Sequence, residues 1–109
     1  GSKLILVLGH SKCGAIKGAC DDVRMGNLTA LLTKLRPAVD DTSTAGTRNS
    51  ANLEFVEDVA LRNVQLAMQQ IPERSPILKE MVQKGEIMIA GAMYDVGTGH
   101  VELVKPIAA

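Results

Sequence analysis

Aromatic residues are almost absent from this sequence of 109 residues, which contains one Tyr, one Phe and no Trp. Because single-stranded nucleic-acid modules stack bases on aromatic side chains, this scarcity argues against such a module. An excess of charge of one sign is also missing, since twelve Lys and Arg residues balance twelve Asp and Glu residues. The composition therefore indicates neither nucleic acid nor an anionic membrane as a partner.

Long hydrophobic runs and cysteines are scarce as well. No apolar run approaches the ~18 residues of a membrane-spanning helix, so the sequence predicts no membrane span. Cys13 and Cys20 are the two cysteines, and on one helix they would lie about 10 Å apart, too far for a disulfide. No export signal is visible, but the compartment stays open because we interpret residues 1–2, Gly-Ser, as an expression scar.

Aliphatic residues dominate what is present, and hydrophobic residues make up 46% of the chain. A chain of this length supports one domain and can bury roughly 65% of its unfolded surface. We expect that domain to span residues 3–109.

Apolar periodicity predicts an α/β fold with a mostly parallel sheet, flanking helices and an antiparallel edge strand from a hairpin. The short aliphatic run 4–8 is typical of a parallel strand buried on both faces. A right-handed crossover places the first two strands parallel, and the third returns antiparallel at an edge. The predicted elements are strands 4–8, 86–93 and 100–104, and helices after residue 10 and over 27–39, 51–71 and 75–84, with Pro37 ending or bending the second helix.

Two surfaces of the predicted fold lack a partner. One stripe of the helix over 51–71 faces the core, and it comprises Leu53, Val56, Ala60, Val64, Ala67 and Ile71. Phe55, Val59 and Leu66 lie off this stripe and predict a second apolar face against another subunit or a further segment. The first strand has an unpaired edge, which is an aggregation hazard unless something covers it.

A candidate site follows the first strand, where Gly9 suits a tight exit and His10 and Cys13 come next. The carboxyl ends of parallel strands are where α/β proteins bind ligands, and spacing of three on a first helical turn points both side chains the same way. Imidazole and thiolate together favour zinc, although a chance His-x-x-Cys with a structural Cys is the alternative. Gly14 leaves space for an anion to approach the backbone N–H groups.

Two segments resemble the β-class carbonic anhydrases. Residues 9–19, GHSKCGAIKGA, resemble the zinc-binding segment, and residues 91–101, GAMYDVGTGHV, resemble the closing strand and hairpin. Both occur in the expected order, and the resemblance covers nearly the whole chain. It implies a truncated β-carbonic-anhydrase-like fold, Zn2+ held by His10 and Cys13, reversible hydration of CO2 to bicarbonate, and Gly14 beside the product anion.

The chain departs from that family in what it lacks. Members hold zinc through a further Cys in a Cys-x-Asp-x-Arg segment on an earlier strand, whose Asp and Arg form the catalytic dyad. Cys20 has no such context, so the chain contains neither that ligand nor the dyad. We therefore expect the C-terminal half of a carbonic anhydrase, inactive alone, whose partners are CO2 or bicarbonate and either further copies of itself or its own N-terminal half.

Other interpretations of the same residues stay open. One is a metal-free interaction or anion-binding domain that keeps the fold, since a strand, a Gly-rich turn and a helix N-terminus suit anions. Another is a nucleophile elbow with Ser11 as nucleophile and His100 as base, although Cys13 stands where that motif has Gly. Asp95, at a strand end, is expected to cap a turn. Within the resemblance, a related substrate such as carbon disulfide also stays open.

Overall fold

Strands and helices follow one another in the predicted order. The computed structural model describes residues 1–107, and within them lie three strands and four helices. Their bounds are β1 Leu4–His10, α1 Gly14–Cys20, α2 Leu28–Asp40, α3 Leu53–Arg74, α4 Pro76–Gln83, β2 Met88–Tyr94 and β3 Val101–Val104. The predicted α/β class is confirmed.

The sheet has the strand order β1-β2-β3. Strands β1 and β2 are parallel, in a register that runs from Leu4 opposite Met88 to His10 opposite Tyr94. Strand β3 is antiparallel to β2, with Val104 opposite Gly91. The predicted topology is therefore confirmed, and within residues 1–107 the outer edge of β1 pairs with no strand.

Side-chain caps mark the start of two of the four helices within residues 1–107. The side chain of Asn52 accepts a hydrogen bond from the Phe55 amide at the start of α3, and Ser75 accepts one from the Leu78 amide at the start of α4. Of the two expected effects of Pro37, ending α2 is wrong, because the helix continues to Asp40; bending it stays a prediction. Proline removes one internal hydrogen bond, but the final carbonyls of the helix gain a donor from the loop that follows.

That donor is Arg48, in the loop that connects α2 and α3. Its guanidinium donates to the Val39 carbonyl at 2.8 Å and to the Thr42 carbonyl at 2.7 Å. The same group lies 4.8 Å from the centre of the Phe55 ring, within the range of a cation–π contact. One side chain thus caps α2 and fixes it against α3.

A second tie to this loop comes from the end of α1. The Asp21 carboxylate accepts hydrogen bonds from the Ser50 amide at 2.7 Å and from the Ser50 hydroxyl at 2.5 Å. These two bonds, the hydroxyl bond first, hold the pKa of Asp21 below its usual range. The loop is therefore tied to the end of α2 through Arg48 and to the end of α1 through Ser50.

The predicted second apolar face of α3 is wrong. Phe55 and Val59 are both fully buried at 0% exposure, because α1 and α2 pack over that side of α3 and bring Ile16, Ala19, Leu32 and Ala38 into the same cluster. Leu53, assigned to the core stripe, is instead 66% exposed. Helix α3 carries a broad apolar surface because it lies between two helices and the sheet.

Two glycines let α3 approach the sheet closely. A Cβ on Gly9 would lie 2.7 Å from both Met93 Sδ and Val64 Cγ2, and one on Gly91 would collide with Met68. Gly9 lies within β1 and pairs with Met93 in the register, so its role is close packing and not the tight exit that the sequence suggested. No helix within residues 1–107 is long and apolar enough to cross a membrane.

The opposite face of the sheet is not covered by any of the described residues. Along β1, alternate residues are exposed, so the expectation of a strand buried on both faces is wrong for this chain. We call this surface the open sheet face; its large apolar side chains, each at least half exposed, are Leu4, Leu6, Leu8, Met88, Val101 and Leu103. A contiguous apolar surface of this kind indicates a contact site.

Candidate functional site

His10 and Cys13 lie at the carboxyl end of β1, on either side of a two-residue turn. His10 is the last residue of β1 and is exposed, and Cys13 is the N-cap of α1 and partly exposed. The predicted shared helical turn is therefore wrong, because the helix begins only at Gly14. A strand, a turn and a helix cap bring the two residues together instead.

Both side chains line one cavity of about 220 Å³ beside β1. Residues 7–10 of β1 form one wall, and no residue of β2 or β3 lines the cavity. The remaining wall is mostly aliphatic and comprises Ala15, Ile16, Leu31, Leu35, Ala60, Asn63 and Val64. Two ligand-type side chains thus face a largely apolar space.

The hydrogen bond of His10 decides which ring nitrogen is available. His10 Nδ1 lies 2.8 Å from the Ser11 carbonyl oxygen. Because a carbonyl oxygen only accepts, Nδ1 is the donor in this arrangement, and in the neutral tautomer with that proton Nε2 has the free lone pair. This is the arrangement in which metal-binding histidines are usually held.

The turn between the two residues is tied to the end of β2. The Ser11 amide donates to the Tyr94 carbonyl at 2.9 Å, and the Ser11 hydroxyl accepts from the Val96 amide at 3.0 Å. Lys12, next in the turn, has φ of 55°, a left-handed conformation that is uncommon for Lys. Its amide donates to Glu57 Oε1 of α3 at 3.5 Å.

Gly14 is the first residue of α1. A Cβ built on it would meet nothing within 4 Å, and its φ is not positive. Neither packing nor backbone conformation therefore requires glycine here, and the space beside the backbone is open.

The donor set is incomplete within residues 1–107, which contain no group of three or more His, Cys, Asp and Glu side chains placed to hold a metal ion. Tetrahedral zinc sites use three or four protein ligands. Cys20 is buried in the core, and burial first, then the charge of Asp21, raises the pKa of its thiol. It is a packing residue, in keeping with its lack of sequence context.

The hairpin residues have structural roles. Asp95 Oδ1 accepts from the Gly97 amide at 2.8 Å, which confirms that Asp95 caps a turn. The His100 side chain is exposed, and its amide donates to Thr98 Oγ1 at 3.2 Å. The Ser11 hydroxyl already accepts the Val96 amide, so the structure gives it a bonding role and offers no support for a nucleophile.

Sequence inspection missed the supports of the turn. Glu57 lies 45 residues from Lys12, and Val96 lies 85 residues from Ser11. No local pattern signals such contacts, because they arise only when α3 and β2 pack against β1.

Comparison of the chain with known proteins identifies its family. The sequence model of the family described as carbonic anhydrase matches residues 1–101. The chain belongs to the β-class carbonic anhydrase family. The resemblance of the two sequence segments is thus confirmed.

Individual carbonic anhydrases show the same relation. A carbonic anhydrase of Mycolicibacterium smegmatis is 28% identical over 105 residues, which are 92% of this chain and 48% of that protein. The crystal structure of the β-carbonic anhydrase CafA of Aspergillus fumigatus has a TM-score of 0.76 at 24% identity, and covers 98% of this chain and 50% of its own. A Coccomyxa β-carbonic anhydrase in complex with acetazolamide has a TM-score of 0.72 at 27% identity, covering 96% and 48%.

One structural relative has a described assembly. A Sordaria macrospora protein, from a structure of two tetrameric β-carbonic anhydrases, has a TM-score of 0.75 at 24% identity, covering 98% of this chain and 54% of its own. The chain therefore spans about half the length of the carbonic anhydrases it matches.

Proposed function

We propose that this chain supplies two zinc ligands, His10 Nε2 and Cys13 Sγ, to a β-carbonic anhydrase that hydrates CO2 reversibly to bicarbonate. The observation that carries the proposal is their meeting on one cavity at the carboxyl end of β1, with Nδ1 of His10 engaged by a carbonyl. Imidazole and thiolate suit zinc, and family membership supplies the reaction class.

The third ligand and the Asp–Arg dyad come, in this proposal, from a strand outside the chain. Such a strand has a place to bind, since within residues 1–107 the outer edge of β1 pairs with no strand, and residues 7–10 of β1 line the cavity shared by His10 and Cys13. Pairing there would add a donor beside His10 and Cys13 and would complete a site with one position left for water. The chain alone is then inactive, as a two-ligand site predicts.

Zinc, when bound, lowers the pKa of a coordinated water to about 7, which provides hydroxide near neutral pH. The residues of this chain orient the ligand His10 and form the wall of the cavity around the proposed zinc site. The Ser11 carbonyl fixes the ring of His10 through Nδ1–H, and the aliphatic cavity wall excludes bulk water from an apolar substrate such as CO2. The open backbone at Gly14 gives the product anion a place to bind.

We further propose that the completed protein is oligomeric. The open sheet face exposes six large apolar residues, which a monomer rarely leaves in water. The Sordaria relatives are described as tetrameric. The proposed partner for this face is a second copy or the N-terminal half of the same protein.

A second candidate is a metal-free domain that keeps the fold for interaction or anion binding. The observation that favours it is the incomplete donor set within residues 1–107. Metal analysis of the chain paired with the N-terminal half separates the two, because this alternative predicts no zinc in the pair.

The test compares zinc content and CO2 hydration, by stopped-flow with a pH indicator, for this chain alone and with the N-terminal half supplied. We expect little zinc and no turnover for the chain alone, and about one zinc per site with turnover for the pair. In the pair, His10→Ala and Cys13→Ser should remove both zinc and activity, whereas Cys20→Ala should keep both. A paired Cys13→Ser variant with normal zinc and turnover would refute the assignment; parallel assays with carbon disulfide identify the substrate.

A further inference from the structure

The turn between His10 and Cys13 is short, yet little within it fixes its shape. The only bond it makes internally is between His10 Nδ1 and the Ser11 carbonyl. Lys12 lies in the left-handed region, which L-residues other than Gly adopt only when their surroundings hold them there. The conformation of the turn is therefore fixed by its contacts with other parts of the chain.

Ser11 makes the stronger of the outside contacts. Its amide donates to the carbonyl of Tyr94, the last residue of β2, at 2.9 Å, and its hydroxyl accepts from the amide of Val96, two residues later, at 3.0 Å. The Glu57 contact to Lys12 is longer, at 3.5 Å. Because β2 is the central strand of the sheet, Ser11 fastens the turn to the most constrained part of the fold.

We propose that Ser11 is a positioning residue, whose hydroxyl bonds the turn to the end of β2 and so holds His10 and Cys13 in place to bind one metal ion. This inference rests on the proposed zinc ligands and adds a role that neither ligand can perform. The backbone amide that bonds to Tyr94 is kept in Ser11→Ala and Ser11→Thr, so these variants change only the hydroxyl that bonds to Val96. Partners that orient metal ligands typically change metal affinity about 10- to 100-fold when removed.

The probe is Co2+ added to the metal-free 109-residue chain, followed by the absorption band from thiolate to cobalt charge transfer. This band reports Cys13 bound to the metal, and it needs no third ligand and no catalysis. Ser11→Ala removes the hydroxyl and should weaken Co2+ binding about tenfold. Ser11→Thr keeps the hydroxyl and should restore most of the affinity.

The matched control is Thr98→Ala. Thr98 lies in the hairpin between β2 and β3, close in sequence to Val96. Its Oγ1 accepts a hydrogen bond from the His100 amide and not from the turn between His10 and Cys13. This variant should bind Co2+ as the unchanged chain does. Urea unfolding of each variant shows whether a loss of affinity exceeds any loss of stability.

The outcomes separate this inference from the proposed function. A normal band in the unchanged chain with equal affinity in Ser11→Ala refutes the positioning role and leaves the ligand assignment standing. An equal loss in Thr98→Ala, or no rescue by Ser11→Thr, also refutes it. The two-ligand site of the chain alone is expected to be weak, so Co2+ is added in large excess. No thiolate–cobalt band in the unchanged chain under that excess contradicts the ligand assignment itself, and the positioning role with it.

Discussion

Replacing Val59 with Asp should unfold this chain, whatever its state of assembly. Val59 is 0% exposed and lies in the cluster between α1, α2 and α3. Removing its buried side chain costs about 2 kcal/mol. Placing a carboxyl group there without hydrogen-bond partners costs at least about 2–4 kcal/mol more, even when it is protonated.

The sum, about 4–6 kcal/mol, is comparable to the whole stability of a small domain, which is about 5–15 kcal/mol. The matched control is Leu103→Asp on the open sheet face, where the side chain is 78% exposed. That change should leave the fold intact and weaken assembly, because it places a charge in the proposed contact surface.

The assay is urea unfolding followed by circular dichroism at two protein concentrations, with light scattering for mass. A Val59→Asp chain that unfolds at the unchanged midpoint would refute the assignment of Val59 to the core. Recovery of its fold at high protein concentration would instead show that Val59 lies in an interface.

Three further predictions concern stability and thiol chemistry. Gly9→Ala should destabilise the chain by about 1–3 kcal/mol in urea unfolding, because the added methyl collides with β2 and α3; Gly14→Ala should not, and an equal loss at both sites would contradict the packing argument. Asp21→Asn should lower stability at neutral pH. Since the pKa of Asp21 is depressed in the folded chain, the gap to the unchanged protein should stay constant above about pH 5 and shrink as the pH falls below about 4, so a gap that widens in acid would be contrary evidence. Iodoacetamide should label Cys13 before Cys20 in the folded chain, because burial raises the pKa of the Cys20 thiol and covers it; equal rates by mass spectrometry would count against this.

The sequence was enough to predict the order and direction of the strands, for identifiable reasons. The aliphatic run before Gly9 and the hairpin around Asp95 carry strong local signals, and a right-handed crossover then orients β1 and β2. Ser75 and Pro76 likewise mark the start of α4 through capping alone.

The errors concern features that depend on tertiary packing. Helical periodicity assigns one buried stripe, but α3 is covered from two directions, which buries Phe55 and leaves Leu53 in solvent. Pro37 disrupts a helix locally, yet Arg48 from the next loop supports the end of α2. The candidate ligands His10 and Cys13 were found because both lie in one short motif.

The bonds of Ser11 also have a consequence for the order of folding. Ser11 and Val96 are 85 residues apart, so their bond closes a loop of nearly the whole chain. Contacts at such separation form late, because the entropy of closing the loop is lost before they contribute. During synthesis on the ribosome, His10 and Cys13 emerge before β2 and remain on an unsupported turn until β2 and the residues after it have been made. If His10 and Cys13 hold zinc as proposed, metal uptake should follow completion of the fold and should not nucleate it, in contrast to small zinc domains whose ligands organise the chain from the start.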